Sequence, residues 1–378
     1  MFPDTRLEES FDTLPLPPVA LHPMPIPTEP IGSIPRPPEL VEAMGKVAAG
    51  AMSQQDIKAL SDRAIRDTIK RFEATGSPII SDGEQTKPSF ATYPIQGLEA
   101  LAPDGITIPF ADGHTRQLPR LTAGPFRYRT YAASYLKEAK KHARVPVKQA
   151  VISASALSLL YPQTGIPSYS QEQFLEDLVR EAEADIRECL AAGAANVQID
   201  FTEGRLVIKL DPSKGLLKTF IALNNRVLER FTPAERARIG VHTCPGGDRD
   251  STHSADVDYG ELLPSLFELK VGRFYIQLAS EQDPLRVLRI IKRHARPDQK
   301  IFIGVTDPIN PRIEAPEEVR DRVVRAAEVI PVAQLGTTDD CGFSPFGDDT
   351  STARDTAFEK IRARVAGTAL AAKVLGVA

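Results

Sequence analysis

From residue 147 onward, short continuous apolar runs alternate with longer segments in which apolar residues return every three or four positions. The runs over 148–152, 196–199, 239–241, 274–278, 301–305 and 332–335 predict strands buried on both faces. The intervening segments predict helices with one face turned inward. Residues 171–192 show this period most clearly, with Phe174, Leu175, Leu178, Val179, Ala182, Ile186 and Leu190 on one stripe. Further helices are expected at 216–230, 259–269, 284–294, 316–329 and 352–375, with Pro316 in the first turn of its helix.

Earlier in the chain the alternation is weaker. Residues 31–34 and 78–81 predict two more strands, separated by a helical region over 39–75. That region breaks near Gly50 and restarts at Ser53, an N-cap residue with Asp56 three positions on. Residues 1–29 are crowded with proline and have no period, so they read as an arm of polyproline character lying on the surface or on a second copy of the chain. Residues 88–143 mix prolines with Phe90, Tyr93, Phe126, Tyr128, Tyr131 and Tyr135 and predict an insertion with a hairpin over one end of the core. Eight strands, nearly all followed by a helix, predict an α/β fold of the (βα)8 TIM-barrel class. The expected layout is an arm at 1–29 and a barrel at 30–378, with the insertion at about 88–143.

Composition narrows the partners. A chain of 378 residues with 42% hydrophobic and 25% charged residues has the make-up of a globular protein, and a net charge of −4 with no basic stripe argues against nucleic acid. No apolar run approaches the ~20 residues of a membrane span, and the N-terminus lacks a secretory signal's pattern. Three cysteines do not make a disulfide framework, so a cytoplasmic location is expected. Cys189 falls in a helical pattern and reads as a packed thiol.

The polar residues are not scattered. Ser33, Asp82, Glu84, Asp200, Glu203, His242, Cys244, Gln277, Asp307 and the run Asp339–Cys341 all fall at or just past the C-terminal end of a predicted strand. In a TIM barrel those ends form the active-site face. His242 and Cys244 sit two apart at a strand end, where both side chains aim at one point. With Cys341 they are too few for a closed structural zinc site and enough for a catalytic one with an open position. The spacing alone is equally compatible with a buried histidine and two inert thiols.

The motifs Ile31-Gly32-Ser33, Asp82-Gly83-Glu84, Gln198-Ile199-Asp200, His242-Thr243-Cys244, Glu314 to Val319 and Asp339-Asp340-Cys341-Gly342 run in the order found in cobalamin-independent methionine synthases. The chain resembles their catalytic, C-terminal barrel over about residues 30–375. The resemblance implies Zn2+ held by His242, Cys244 and Cys341, a thiol substrate at the open position, and Ser33, Glu84 and Asp200 holding the amino-acid end of that thiol. Asp82 and Glu203 add to an acidic, substrate-binding rim. A free alkyl thiol has a pKa near ~8.5, and coordination to zinc deprotonates it for attack on an alkyl carbon.

The departures bear on the donor. There is no tryptophan to stack on a pterin, and Tyr161 is the aromatic candidate for that place. The synthases' proposed acid, a histidine after the seventh strand, is replaced by Asp307-Pro308-Ile309-Asn310. Asp307 and Asp340 are therefore the catalytic candidates, with Asp340 beside Cys341 also suited to orienting the ligands. Gln277 stands where the synthases carry a zinc-binding glutamate, and Glu281 is the nearest carboxylate. The expected activity is transfer of a methyl or other alkyl group, with methylfolate as one candidate donor, to homocysteine or an analogue. An alternative is transfer of an epoxide to another thiol such as coenzyme M, as in the single-barrel epoxyalkane:coenzyme M transferases. A zinc hydrolase ranks below both, because two thiolates make the metal a poorer Lewis acid.

Overall fold

The structure is a computed structural model that describes residues 24–378. Six parallel strands form the sheet, in the order Leu335–Thr338, Lys300–Gly304, Arg273–Ile276, Ile239–Thr243, Val197–Asp200 and Gln149–Ile152. Five of the six predicted runs coincide with these strands to within two residues. The sixth is shifted: Val332–Gln334 forms a 3-10 turn, and the strand begins at Leu335, so it runs closer to Cys341 than expected.

The first two barrel positions are present without being regular strands. Thr28 bridges Thr337 and Ile80 bridges Val147, both in parallel. Between them Ser81 Oγ donates to the Gly32 carbonyl at 2.6 Å and the Ile34 amide donates to Gly83 at 3.0 Å, which closes the ring. Pro27, Pro30, Pro35 and Pro78 have no amide hydrogen to give a ladder, so pairing here shrinks to single bridges. One consequence is that Thr28 and Glu29, expected to belong to the proline-rich arm, are fully buried in the barrel wall. Residues 1–23 of that arm lie outside the described residues.

Helices follow the sheet strands and cover the barrel. Gln171–Ala191 starts with a capping box between Ser170 and Gln173, and its apolar stripe, with Cys189, is buried in the main core. The expected 39–75 region is two helices, Pro38–Ala48 and Lys58–Ala74. Ser53 and Asp56 exchange hydrogen bonds as a capping pair would, but they serve the turn before Lys58 rather than the helix itself. Four helices were not legible in the pattern, one of them the short Pro233–Arg236 before the Ile239–Thr243 strand. Glu203–Leu210 and Ala154–Ser158 sit at the rim, and Ala133–Lys140 lies within the predicted insertion. That insertion also holds the paired segments Leu101–Ala102 with Arg120–Leu121 and Thr107–Pro109 with Thr115–Gln117. No described helix is long and apolar enough to cross a membrane.

Candidate metal centre

The Ile239–Thr243 strand is buried along its whole length and delivers His242 with Cys244 just past its end. The last sheet strand delivers Cys341. The ligand atoms of His242, Cys244 and Cys341 lie within 4.8 Å of one another, and all three residues are buried. The two sulfurs are 2.9 Å apart, beyond a disulfide bond, and both thiols are free. Neither ring nitrogen of His242 has a hydrogen-bond partner, a costly condition for a buried imidazole. The Gly246 amide points at Cys244 Sγ at 3.3 Å. Two thiols, one orphaned imidazole and an amide aimed at sulfur make a donor set that fits zinc.

Gly246 is needed for this turn. Its φ is +72°, and a Cβ there would lie 1.7 Å from His253 Nε2. His253 packs beneath the turn with Ser254, whose amide and hydroxyl both reach the Pro245 carbonyl at 3.1 Å. Burial, assisted by Lys209 and Arg205, pushes the His253 imidazole down to about 4, so it is neutral.

A cavity of about 580 Å³ opens beside the centre. Its polar end is formed by Ser33, Glu84, Asp200, Glu203, His242 and Cys341. Sheet register sets Asp200 directly beside His242 on the neighbouring strand. Glu84 sits in the left-handed region at φ 54° and accepts from Lys87 Nζ at 2.9 Å, the lysine being fully buried. Burial opposes the Lys87 charge, but Glu84 and Asp82 outweigh it and hold the ammonium above its ordinary range. Gly342 packs against Ser33, whose Oγ would be 2.2 Å from a Cβ there. The other end of the cavity is apolar, with Val41 and Met44 from a helix, Ile108 and Phe110 from the insertion, Leu206 and Phe346. Among the described lining residues Arg116 is the only Lys or Arg, and it is paired with Asp248 and Asp348. This clamp, joined by His114, ties the insertion to the Gly247–Asp248 hairpin over the cavity, and nothing in the sequence pattern announced it.

Four expected site residues lie elsewhere, for identifiable reasons. Tyr161 does not line the cavity: its hydroxyl donates to the Tyr169 carbonyl at 2.7 Å and its ring stacks on Phe174, so it is a packing residue. Asp307 accepts from the Ile309 amide at 3.0 Å and shapes the turn after its strand. Asp340 accepts from the amides of Leu278, Ala279 and Ser280, each at 2.8 Å, and so fixes the loop after the Arg273–Ile276 strand. Burial still pushes the Asp340 carboxyl up to about 7. Asp82 accepts from the Glu84 amide at 3.1 Å and supports the turn that presents Glu84. Gln277 and Glu281 both accept from Arg205 Nη1, at 3.1 and 2.9 Å, and no described carboxylate joins the three-residue metal group.

The family profile described as "Cobalamin-independent synthase, Catalytic domain" matches residues 26–361. The chain belongs to this family. It is similar to the uncharacterized protein YxjH of Bacillus subtilis, with 22% identity over 357 residues, covering 88% of this chain and 91% of that protein. It is also similar to the 5-methyltetrahydropteroyltriglutamate–homocysteine methyltransferase of a Synechococcus strain, with 24% identity over 321 residues. That match covers 84% of this chain and 40% of the relative, so the chain spans about two fifths of the longer synthase. Among solved structures, a B12-independent methionine synthase from Shewanella in complex with selenomethionine shares the fold at a TM-score of 0.73 and 20% identity, covering 93% of this chain and 99% of that one.

Proposed function

We propose that this cobalamin-independent synthase family member transfers a methyl group to a small thiol, with homocysteine or a close analogue as acceptor and one zinc ion held by His242, Cys244 and Cys341. The observation that carries the reading is the open three-donor group at the wall of a cavity whose neighbouring groups are carboxylates. Zinc, when bound, supplies the Lewis acidity that keeps the acceptor thiol deprotonated at neutral pH. The protein's own groups do the rest. Glu84 and Asp200 receive the acceptor's ammonium, and Ser33 offers a hydroxyl to its carboxylate. Lys87 balances one negative charge so that the acids can be buried together. The apolar end holds the body of the alkyl donor and excludes water from the reacting atoms. Methylated folate is the donor the relatives' names suggest, and the free thiols suit a reducing compartment such as the cytoplasm.

The coenzyme M alternative finds less support. A sulfonate needs an unpaired cation, and Arg36 and Arg249, which follow Ser33 and Cys244 in the chain, are engaged. Arg36 gives its hydrogens to the carbonyls of Glu84, Gln85, Lys87, Ser344 and Phe346, and Arg249 pairs with Asp348. The test combines zinc analysis with calorimetry. About one zinc per chain and tighter binding of homocysteine than of coenzyme M are expected, together with methyl transfer from 5-methyltetrahydrofolate to homocysteine. Tighter binding of coenzyme M overturns the reading.

A further inference from the structure

Glu203 opens the Glu203–Leu210 helix and lines the cavity near the metal group, yet only one of its two oxygens is used. Oε1 accepts from Ser153 Oγ and from Ser155 Oγ, both at 2.5 Å. The direction of both hydroxyls is fixed. Ser153 Oγ accepts the Ala156 amide at 3.1 Å as a helix cap, so its hydrogen is free for Glu203. Ser155 Oγ accepts from Asn224 Nδ2 at 2.7 Å, and the Asn224 amide is itself oriented because its oxygen accepts the Ser155 amide at 3.3 Å. The contact between the two hydroxyls is longer, at 3.3 Å. Oε2 is buried and has no partner. With two donors on Oε1, the hydrogen of the neutral acid belongs on Oε2.

The surroundings favour the neutral acid. Burial pushes the carboxyl up to about 7, against the two serine hydroxyls, and the negative charge of Asp200 adds to the rise. Its hydrogen-bond partners from other elements, Ser153 and Ser155, are neutral, and the charged group that acts on it from the neighbouring strand is the Asp200 carboxylate. Arg205, on the same helix, is turned away to Gln277, Glu281 and the carbonyls of Ala255 and Val257.

The geometry points to Glu203 as the acid that protonates the leaving atom of the alkyl donor, a donor that departs through nitrogen or oxygen. This rests on the alkyl-transfer reading above and gives a role that Asp307, turned into its own loop, does not fill. The acceptor sulfur forms a bond to the alkyl carbon, and the carbon–nitrogen or carbon–oxygen bond breaks with its electron pair going to the heteroatom. The hydrogen on Oε2 moves to that atom, and the carboxylate left behind is held by the two serine hydroxyls at Oε1. Water returns a proton to Glu203 as product leaves, matching the one the acceptor thiol released to solvent on binding. The sum is thiol plus alkyl donor giving thioether plus protonated leaving group.

Two measurements test this. Infrared difference spectra of the zinc-loaded protein and of Glu203→Gln, titrated between pH 5 and 9, read the proton without turnover. A protonated-carboxyl band lost with a midpoint near 7, and absent from Glu203→Gln, is expected. No such band at position 203 overturns the proposal. Kinetics then separate proton transfer from binding, using homocysteine with either 5-methyltetrahydrofolate or S-methylmethionine. The sulfonium leaves as a neutral thioether and needs no proton. Glu203→Gln should lower kcat by about 10²-fold or more with the folate donor, at similar KM, and by less than about threefold with the sulfonium. Equal losses with both donors overturn the assignment in favour of a packing role. Failure of the unmodified protein to use either donor counts against the methyl-transfer reading, and the infrared titration still decides whether Glu203 carries the proton.

Discussion

Two buried regions of the barrel treat their polar groups in opposite ways. Around Arg36 everything is paired. Its guanidinium reaches five carbonyls drawn from the 84–87 and 344–346 loops, and burial lowers its pKa without freeing it of those partners. At the cavity wall, His242 has two unpartnered nitrogens and Glu203 one unpartnered oxygen. An unmet buried polar atom costs about 1–3 kcal/mol, and the ones on His242 and Glu203 belong to residues that line the cavity, where a ligand can meet them. Burial does not distinguish the two regions, since both are inaccessible; an unmet atom does so only together with a place on the cavity wall, because Arg364 and Tyr128 also carry unmet atoms in the scaffold.

The contrast breaks first at Arg36. Arg36→Ala should orphan the carbonyls of Gln85, Lys87 and Ser344 and cost about 3–5 kcal/mol in the zinc-free protein, measured by chemical denaturation. Cys341→Ser should change zinc-free stability by less than about 1 kcal/mol while losing most of the bound zinc on dialysis. If the two variants exchange roles, the division between scaffold and site is wrong.

Next comes His253, a buried base that belongs to the scaffold. Its folded pKa of about 4 lies below the ordinary 6.5, so the unfolded chain binds more protons between those values. Stability is therefore complete above pH 6.5 and falls as pH drops through about 4, by up to about 3 kcal/mol. His253→Gln should flatten the melting temperature over that window, and an unchanged slope would count against the neutral, buried assignment. Gly246→Ala acts on the same turn from the other side. It adds about 1–3 kcal/mol of backbone strain and pushes on the His253 ring. Zinc affinity should fall more than stability, read by competition with a chelator, because the displaced amide is the one aimed at Cys244.

This division also explains what the sequence revealed. The barrel was legible from residue 147 onward because each strand is a short apolar run followed by a helix-period segment. It was harder to read before that point because prolines reduce the first two strands to single bridges. The metal group was legible because the i, i+2 spacing of His242 and Cys244 survives folding unchanged. Carboxylates at strand ends were a weaker guide. Glu84, Asp200 and Glu203 reach the cavity, while Asp82, Asp307 and Asp340 turn back onto nearby amides. Which way an Asp turns depends on amides freed by a tight loop, and periodicity does not encode that. Arg36, Lys87 and the Arg116–Asp248 clamp were invisible for another reason: each joins segments far apart in the chain, Lys87 through the Ala150 carbonyl.

The smallest expected effect lies where the family pattern departs most. In the synthases this chain resembles, a glutamate at the position of Gln277 completes the zinc site. Here Gln277 Oε1 is held by Arg205 at 3.1 Å, and Gln277 Nε2 donates to Ser280 Oγ at 2.7 Å. Ser280 in turn gives its hydrogen to Asp340 at 2.8 Å, so its oxygen is left to accept the amide hydrogen of Gln277. A glutamate would lose that donor and gain a second carboxylate beside Arg205, which already pairs with Glu281. The new charge would be drawn to the guanidinium rather than to the metal. Gln277→Glu alone should thus change zinc affinity by less than about tenfold, or about 1.4 kcal/mol. Combined with Arg205→Met, it should bind zinc more tightly than either single change predicts, because the carboxylate is then free to reach the metal. Chelator competition on the four proteins of this cycle measures the coupling. Strict additivity would mean that Arg205 does not hold position 277 away from the site, and that the fourth zinc position is governed by something other than this pair.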